Sequence, residues 1–291
     1  FLKHIEHIVL YTWHDGAKEP QRCFRASIVN IPGPQKKQRA LQWNEKRKSK
    51  FRQCDLTLDI LSEVSPTSHS TSIGLTTDQR QQHTRTYEVF NNFGGETAQA
   101  FIDNNASAGL SLIPWGGAAA LVKSAPSNAP LCILPSPPAC TASCTLPLPI
   151  VTGLPVQVNA FFELSSNRRD VWHGNDLVGV GALRCEWNKI LLVEAITASY
   201  LRLVHRCCRM FDQLTSVGNS ASERPNVNTL YQYFPAANSV KSTPWTVLVW
   251  EFYRRVVTER LPFFCVQRRA GVKNEWLDIY SVTLACAEDP L

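Results

Sequence analysis

The stretch from Leu146 to Val204 constrains the fold most, because it combines a strand pattern, a charged turn and a helix pattern. Apolar and polar residues alternate from Val156 to Leu164, with the period of two that is typical of a half-buried strand. The sequence Ser-Ser-Asn-Arg-Arg follows, and its polar residues indicate a turn. After a loop spaced by glycines, a helix is predicted from about Glu186, with apolar residues at helical spacing: Trp187, Ile190, Leu191, Ala198, Leu201 and Val204. A strand that carries an arginine-rich loop, backed by a long amphipathic helix, can present charge at a fixed place.

The part of the chain before residue 125 is predicted to be a mixed, mainly antiparallel sheet with little helix. Gly94 and Gly95 end one of its strands, and a short helix is expected over Glu96–Asn104. The pair Gly116-Gly117 indicates a bulge or close packing. We therefore predict an α+β fold, in which this sheet precedes a region of strand, loop and long helix. The predicted strands, of which the first two form a hairpin, are Ile8–Trp13, Cys23–Asn30, Asp55–Val64, Thr86–Phe93 and Ile113–Val122.

Seven prolines between Ser124 and Pro149 interrupt the strand patterns. Proline at this density disfavours a central strand or a helix and favours an extended linker. Two pieces of this stretch, CILPSP and CTLPLP, are alike, and one copy is interpreted as an insertion or as an error in the gene model. The predicted domains are a mixed sheet domain (1–123), a proline-rich linker or insertion (124–145) and a domain of strand plus helices (146–291).

The last part of the chain predicts a further helix. Thr243 is suited to the N-cap and Pro244 to the first helical position, where its missing N–H costs nothing. Pro262 is expected to stop the helix, residues 213–228 are expected to form a loop, and Trp276–Cys286 a closing strand. The predicted apolar face of the helix consists of Trp245, Leu248, Val249, Phe252, Tyr253 and Val256.

Composition indicates a globular chain, because 44% of the 291 residues are hydrophobic and 19% are charged. The first residue is Phe1, so we expect a piece of a longer protein. No apolar run approaches the roughly 18 to 20 residues that span a bilayer, so no membrane association is expected. Five of the ten cysteines stand alone, mostly beside apolar residues, and are interpreted as small core residues: Cys23, Cys54, Cys185, Cys265 and Cys286. A chain of this size needs no disulfides for stability, so we expect a reducing, cytoplasmic compartment.

The net charge of +6 comes from one segment, Lys36–Arg52, which holds eight basic residues and one acid. Nucleic-acid binding would need base-stacking aromatic residues between the charges, and only Trp43 and Phe51 are present there. We interpret the segment as a solvated loop or exposed helix and expect no nucleic-acid partner.

Patterns that carry catalytic or metal chemistry are weak. Cys140 and Cys144 form one pair, and His205, Cys207 and Cys208 form a cluster, but neither has the second ligand pair that zinc usually needs. The sequence contains no G-x-S-x-G elbow and no G-x-x-x-x-G-K-[ST] loop. We therefore predict no metal site, no turnover by this chain alone and no complete ATP-binding machinery in it.

The central sequences TGLPVQVNAFFELSSNRR (152–169) and EWNKILLVEAITASYLRL (186–203) resemble the repeat region of the sacsin family, including its plant and protist members. Three flanking sequences support this resemblance: FLKHIEHIVLYTW at the start, IPWGGAAA (113–120) and PWTVLVWEFYRR (244–255). In that family each repeat begins with a GHKL-type ATP-binding domain similar to that of the ninety-kilodalton heat-shock chaperone. The resemblance implies that this chain follows such a domain, which would supply most of the contacts to ATP and magnesium.

In the related chaperone, the segment after the ATPase domain contributes an arginine to the terminal phosphate of ATP. The resemblance makes Arg168 or Arg169, with Asn167, the candidate phosphate contact here, and a guanidinium suits this role because it offers several fixed donors and stays charged. The alternative is that both arginines brace their own loop by pairing with Glu163, Asp170 or Asp176.

The function implied by the resemblance is that of a chaperone or co-chaperone segment. It would couple an upstream ATPase domain to protein folding, with heat-shock chaperones or client proteins as partners. The alternative is a purely structural repeat or scaffold without ATP coupling.

Overall fold

The computed structural model describes residues 6–13, 15–16, 18–29, 53–64, 81–126, 132–174, 177–216, 226–240, 242–266 and 274–282. The chain divides into two compact units. Unit 1 contains Phe1–Val89 and Ala120–Pro135, and unit 2 contains Phe90–Ala119 and Ser136–Leu291. The predicted α+β class, with its mixed and mainly antiparallel sheet and a long helix, is confirmed. The domain boundaries at residues 123 and 146 stay a prediction.

The strands of the described residues, in chain order, are β1 (His7–Thr12), β2 (Gln21–Ile28), β3 (Gln53–Val64), β4 (Gln81–Phe93), β5 (Trp115–Pro126), β6 (Cys132–Ile133), β7 (Thr141–Cys144), β8 (Leu146–Val151), β9 (Gln157–Ala160), β10 (Phe264–Val266) and β11 (Glu275–Leu277). The helices are α1 (Glu96–Asn104), α2 (Val180–Ile190), a π-helical segment (Leu191–Ile196), α3 (Thr197–Ser216), α4 (Val227–Tyr231) and α5 (Trp245–Thr258). Short 3₁₀ turns cover Ala106–Ala108 and Ile279–Ser281.

Unit 1 is a sheet in the order β1, β2, β3, β4, β5, with β6 paired to β5. The predicted hairpin of the first two strands is confirmed, because β1 and β2 are antiparallel neighbours. The hydroxyl of Thr86 donates to the Asp59 carboxylate (2.6 Å), and that of Thr57 donates to Glu88 (2.9 Å). These bonds satisfy polar groups of β3 and β4. The basic segment Lys36–Arg52 lies outside the described residues.

In unit 2 the strand order is β5, β9, β7, β8, with β9 and β7 parallel and the other two pairs antiparallel. The expectation that the proline-rich stretch contains no central strand is wrong for β7, which lies between β8 and β9. Its residues include no proline. Pro147 and Pro149 lie in β8, the last strand in this order, where a missing N–H interrupts no further pairing.

The long helix of unit 2 begins earlier than predicted. Helix α2 starts at Val180 rather than near Glu186, because Gly179 adopts a positive φ of 61° before it and Gly181 is accommodated inside the first turn. The helix passes through the π-helical segment into α3, which continues to Ser216 and so into the predicted loop. Residues 217–225 of that loop lie outside the described part of the chain, and the prediction is wrong for its last two residues, Val227 and Asn228, which begin α4.

The core of unit 2 is aromatic. Trp187, Tyr200, Phe211 and Phe252 are completely buried, and the Tyr200 and Phe252 rings lie 4.9 Å apart. Five of the six residues predicted for the apolar face of α5 are buried, whereas Tyr253 is 38% exposed and donates its hydroxyl to the carbonyl of Pro235. The N-cap of α5 is Pro244 rather than Thr243, with no side-chain capping bond. The closing strand is shorter than predicted within the described residues, since β11 ends at Leu277.

Candidate functional site

The predicted arginine loop is the tip of a hairpin that leaves the sheet. Strand β9 ends at Ala160, four residues before the end of the alternating pattern. The chain then forms a single antiparallel bridge between Leu164 and Val171. The Trp172 N–H donates to the carbonyl of Glu163 (3.1 Å), and its indole N–H donates to the carbonyl of Leu164 (2.8 Å). We call residues 163–172 the arginine hairpin.

Short polar side chains fix the backbone of the hairpin tip. The Ser165 hydroxyl donates to Asn167 Oδ1 (2.8 Å) and accepts from the Asp170 N–H (3.1 Å). The Arg168 N–H donates to the carbonyl of Ser165 (2.8 Å), and the Arg169 N–H donates to Asn167 Oδ1 (3.0 Å). The predicted contact residue Asn167 therefore uses its amide oxygen inside the loop, where it braces the arginine backbone.

Both arginine side chains are exposed, while the backbone beneath them is constrained. Arg168 adopts a φ of +54°, which is uncommon for a residue with a side chain. Its Nη2 donates to the carbonyl of Cys144 (3.3 Å). Within the residues that the structure describes, neither Arg168 nor Arg169 forms an ion pair with a carboxylate. Asp176, one of the partners considered for them, lies outside those residues.

The acidic residues of the hairpin contact other basic side chains. The Glu163 carboxylate lies 3.3 Å from Arg184 Nε, and the Arg184 guanidinium lies over the Trp172 ring, 5.5 Å from its centroid. The Asp170 carboxylate lies 3.7 Å from His173 Nε2. The interpretation that Glu163 or Asp170 holds the loop arginines is therefore not supported by the observed contacts.

Asn188 holds the base of the hairpin, whereas from the sequence it is expected only to be a polar cap or sheet contact without chemistry. Its side chain is fully buried, its Oδ1 accepts from the Glu163 N–H (2.8 Å), and its Nδ2 donates to the carbonyls of Glu163 (2.8 Å) and Trp172 (2.9 Å). The neighbouring Trp187 is a core residue, as predicted, and its indole donates to the carbonyl of Phe161 (3.3 Å). The sequence signal available for these contacts was the i, i+4 spacing of Arg184 and Asn188, which places both side chains on the same face of the helix.

The π-helical segment fixes the long helix against its neighbours in unit 2. A Cβ on Gly116 would lie 2.8 Å from Ile196 Cγ1, so the missing side chain permits close packing of β5 on the helix, and the predicted close packing is confirmed. The Glu194 carboxylate accepts from the backbone N–H groups of Gly95 (2.8 Å) and Ala98 (3.1 Å) at the start of α1. Glu194 thus supplies a cap that Gly95 cannot.

A groove of about 750 Å³ opens beside the arginine hairpin. Its walls come from α1, the residues after the hairpin, α2 and the start of α5, and its polar members are His173, Glu186, Lys189 and Thr243. The apolar members include Phe101, Trp172, Leu177, Leu183, Pro244 and Val247. Two large apolar side chains close to these lining residues in sequence are strongly exposed, Val178 (88%) and Trp250 (79%).

Among the cysteines whose side chains the structure describes, the buried ones are not those predicted to lie in the core, and the predicted Cys54 and Cys286 lie outside that set. Cys140, Cys144, Cys207 and Cys208 are buried, whereas Cys23, Cys185 and Cys265 are half-buried. Burial raises the pKa of the Cys140 thiol to about 11 and also raises that of Cys144, where the nearby Arg168 opposes the effect. No group of three or more His, Cys, Asp or Glu side chains in the described part of the chain has metal-binding geometry. None of the described helices is long and apolar enough to cross a membrane.

One curated protein supports the resemblance over part of the chain. Human sacsin is 43% identical to it over 63 residues, which is 22% of this chain and 1% of sacsin. No protein-family model matches the chain, and no solved structure does. The chain therefore contains a sacsin-like region and spans only a small fraction of the length of that relative.

Proposed function

We propose that this chain acts with a preceding GHKL-type ATP-binding domain and presents Arg168 and Arg169 to the terminal phosphate of the bound nucleotide. The partial match to sacsin supports this proposal, because the resemblance to the sacsin family is what implies a preceding domain of this type. The observation that carries the proposal is the arginine hairpin itself, in which the backbone is fixed by internal hydrogen bonds and two guanidinium groups remain exposed.

The hairpin combines a constrained backbone with exposed side chains, and this combination suits phosphate recognition. Donors that are already oriented need little reorganisation when charge develops on a phosphoryl group. Arg169 is the better candidate for direct contact, because Arg168 already donates to the Cys144 carbonyl. Asn167 supports Arg169 by accepting its backbone N–H. Two arginines supply no ligand for a divalent cation, so magnesium would be held by the ATP-binding domain, where it neutralises phosphate charge.

The wider proposal is a chaperone or co-chaperone role in the cytoplasm, in which nucleotide state is coupled to folding of client proteins or to heat-shock chaperones. The groove and the neighbouring exposed Val178 and Trp250 support such handling, because apolar surface beside a concave site is typical of protein interaction sites. The competing function is a scaffold that packs repeats together and has no ATP coupling.

The test joins this chain to the ATP-binding domain proposed to precede it. ATP hydrolysis and nucleotide affinity are measured for the parent, Arg168→Ala and Arg169→Ala, with circular dichroism as the check on folding. An arginine that acts on the terminal phosphate contributes about 10³ to 10⁵ in rate in other phosphoryl transfers. We expect Arg169→Ala to lower the rate of hydrolysis by a factor that approaches this range, with an unchanged fold and a nearly unchanged nucleotide affinity.

Arg209→Ala is the matched control, because this arginine is exposed like Arg168 and Arg169 but belongs to α3 and not to the hairpin. Normal hydrolysis in folded Arg168→Ala and Arg169→Ala proteins would contradict the phosphate role and favour the scaffold.

A further inference from the structure

We propose that Asn188 is a positioning residue, which ties the arginine hairpin to helix α2 and thereby sets the place of Arg168 and Arg169. The inference rests on the proposed function, since these arginines are the groups that Asn188 positions. The inference is based on the Asn188 side chain, which forms hydrogen bonds with both strands of the hairpin stem.

The Asn188 amide uses three of its four hydrogen-bonding positions on the hairpin. It accepts from the Glu163 N–H (2.8 Å) and donates to the carbonyls of Glu163 (2.8 Å) and Trp172 (2.9 Å). Glu163 and Trp172 stand directly outside the Leu164–Val171 bridge, one on each strand. Asn188 therefore holds the base of the stem from the side of helix α2, whereas the Leu164–Val171 bridge and the bonds of Trp172 join the two strands to each other.

The hairpin depends on the helix because it has left the sheet. Strand β9 ends at Ala160, and the Leu164–Val171 bridge is isolated from the named strands of the described chain. Helix α2 supplies a second contact one turn before Asn188, where Arg184 lies 3.3 Å from the Glu163 carboxylate. Arg184 is only two-thirds buried, so the fully buried amide is the stronger determinant of position.

Removing the amide takes the described partner from the Glu163 N–H and the Trp172 carbonyl, while the Glu163 carbonyl keeps its bond from the Trp172 N–H. An unpaired buried polar group is costly, so the stem is expected to move until water or another group satisfies it. Displacement of a positioned group by about 1 Å can cost on the order of 100-fold in rate. Hence removal of the Asn188 side chain, which touches no substrate, is expected to displace Arg168 and Arg169.

The first arm of the test uses amide hydrogen exchange on the full chain and does not depend on ATP. Asn188→Ala is compared with Asn274→Ala, which removes another buried amide of unit 2 that donates to Thr215 Oγ1 (2.7 Å) and Asp212 Oδ1 (3.2 Å). We expect exchange over residues 163–172 to rise at least about tenfold in Asn188→Ala only, because the contact is local. Unchanged exchange there, or an equal rise in both variants, would overturn the inference.

The second arm uses the protein joined to its ATP-binding domain and measures hydrolysis in a double-mutant cycle. We expect Asn188→Ala to lower the rate by roughly 100-fold at nearly unchanged nucleotide affinity. Asn188→Ala with Arg169→Ala is expected to be no slower than Arg169→Ala alone, since a positioning residue acts through the arginine. Losses that multiply would show an independent, merely structural effect and contradict the positioning role.

The two arms separate the failure of this inference from that of the proposed function. If the arginine variants hydrolyse ATP normally, the proposed function fails, and the exchange arm still decides whether Asn188 holds the hairpin. If Asn188→Ala does not fold, Asn188→Leu keeps a side chain of similar volume and removes the amide. A folded Asn188→Leu protein with parental exchange over the hairpin and parental hydrolysis would also overturn the inference.

Discussion

The long helix of unit 2 contacts the arginine hairpin and strand β5 in different ways. Helix α2 holds the arginine hairpin through the buried amide of Asn188 and the ion pair of Arg184. The π-helical segment that follows holds β5 by close packing, in which Gly116 leaves room for Ile196. The first contact is made of directional hydrogen bonds, and the second of apolar surface.

The two contacts affect different properties of the protein: the packed contact affects its stability, and the polar contact affects the position of the hairpin. Apolar burial is non-directional and supplies most of the free energy of folding, whereas a buried hydrogen bond contributes little net energy but permits only a narrow geometry. Substitutions at the packed contact are therefore expected to lower the free energy of unfolding. Those at the polar contact are expected to affect mainly where the hairpin lies.

The largest expected loss of stability is that of Trp187→Ala. The indole is fully buried, stacks on Phe101 with ring centroids 5.8 Å apart and bonds the Phe161 carbonyl. Its removal should lower the free energy of unfolding by about 3–5 kcal/mol, measured by urea unfolding. Trp250→Ala is the control, because that side chain is 79% exposed and its loss should change stability by less than about 0.5 kcal/mol. Equal losses in the two variants would contradict the burial described for Trp187.

The packed contact itself is tested by Gly116→Ala. The added Cβ would lie 2.8 Å from Ile196 Cγ1 and 3.2 Å from Ala195 Cβ, so the helix must shift, at an expected cost of about 1–3 kcal/mol. Gly181→Ala is a control of opposite sign. Its Cβ would meet Leu177 and Trp172 at an ordinary 3.6 Å, and removing a helical glycine should stabilise by about 0.5–1 kcal/mol. A stabilising Gly116→Ala would show that the close approach does not exist.

Removing the Glu194 cap at the start of α1 is expected to lower the free energy of unfolding by a smaller amount. Glu194→Ala removes the acceptor for two backbone N–H groups, and we expect a loss of about 1–2 kcal/mol in thermal or urea unfolding. Glu194→Gln keeps an acceptor and removes only the charge, so its loss should stay below about 1 kcal/mol. If the glutamine variant lost as much as the alanine variant, charge rather than capping would explain the contact.

Most elements could be predicted from the sequence, because their signals are local. The alternation before Glu163 predicted β9, and Glu96–Asn104 was predicted with the bounds that α1 shows. The start of α2 was missed because Gly179 and Gly181 resemble a loop, although only Gly179 has the positive φ of one. The π-helical segment has wider turns with i→i+5 hydrogen bonds, but it covers only Leu191–Ile196, which is too short for helical periodicity in the sequence to reveal it.

The candidate site was only partly predictable. The arginines were found through a resemblance, while the residue that holds their loop was not, because the partners of Asn188 lie 16 and 25 positions before it. A buried asparagine on an apolar helical face shows that a polar partner must exist but does not identify the partner. The pairing of Glu163 with Arg184 rather than with a loop arginine is likewise a tertiary contact. Whether the guanidinium groups meet a nucleotide depends on a further domain and stays a prediction.

The smallest expected effect is that of Arg184→Ala, and it sharpens the comparison within the polar contact. The Arg184 and Glu163 side chains keep 34% and 20% of their exposure, so water screens their attraction and the pair should contribute less than about 1 kcal/mol. Its stacking on Trp172 is similarly exposed to solvent. We expect unfolding close to that of the parent and no rise in hydrogen exchange over residues 163–172, because the Asn188 bonds remain. A large rise would assign the holding of the hairpin to the ion pair, and the geometry of the loop would then vary with salt concentration. Insensitivity to both Arg184→Ala and salt, with sensitivity to Asn188→Ala, would show that position in this hairpin is set by the one buried amide.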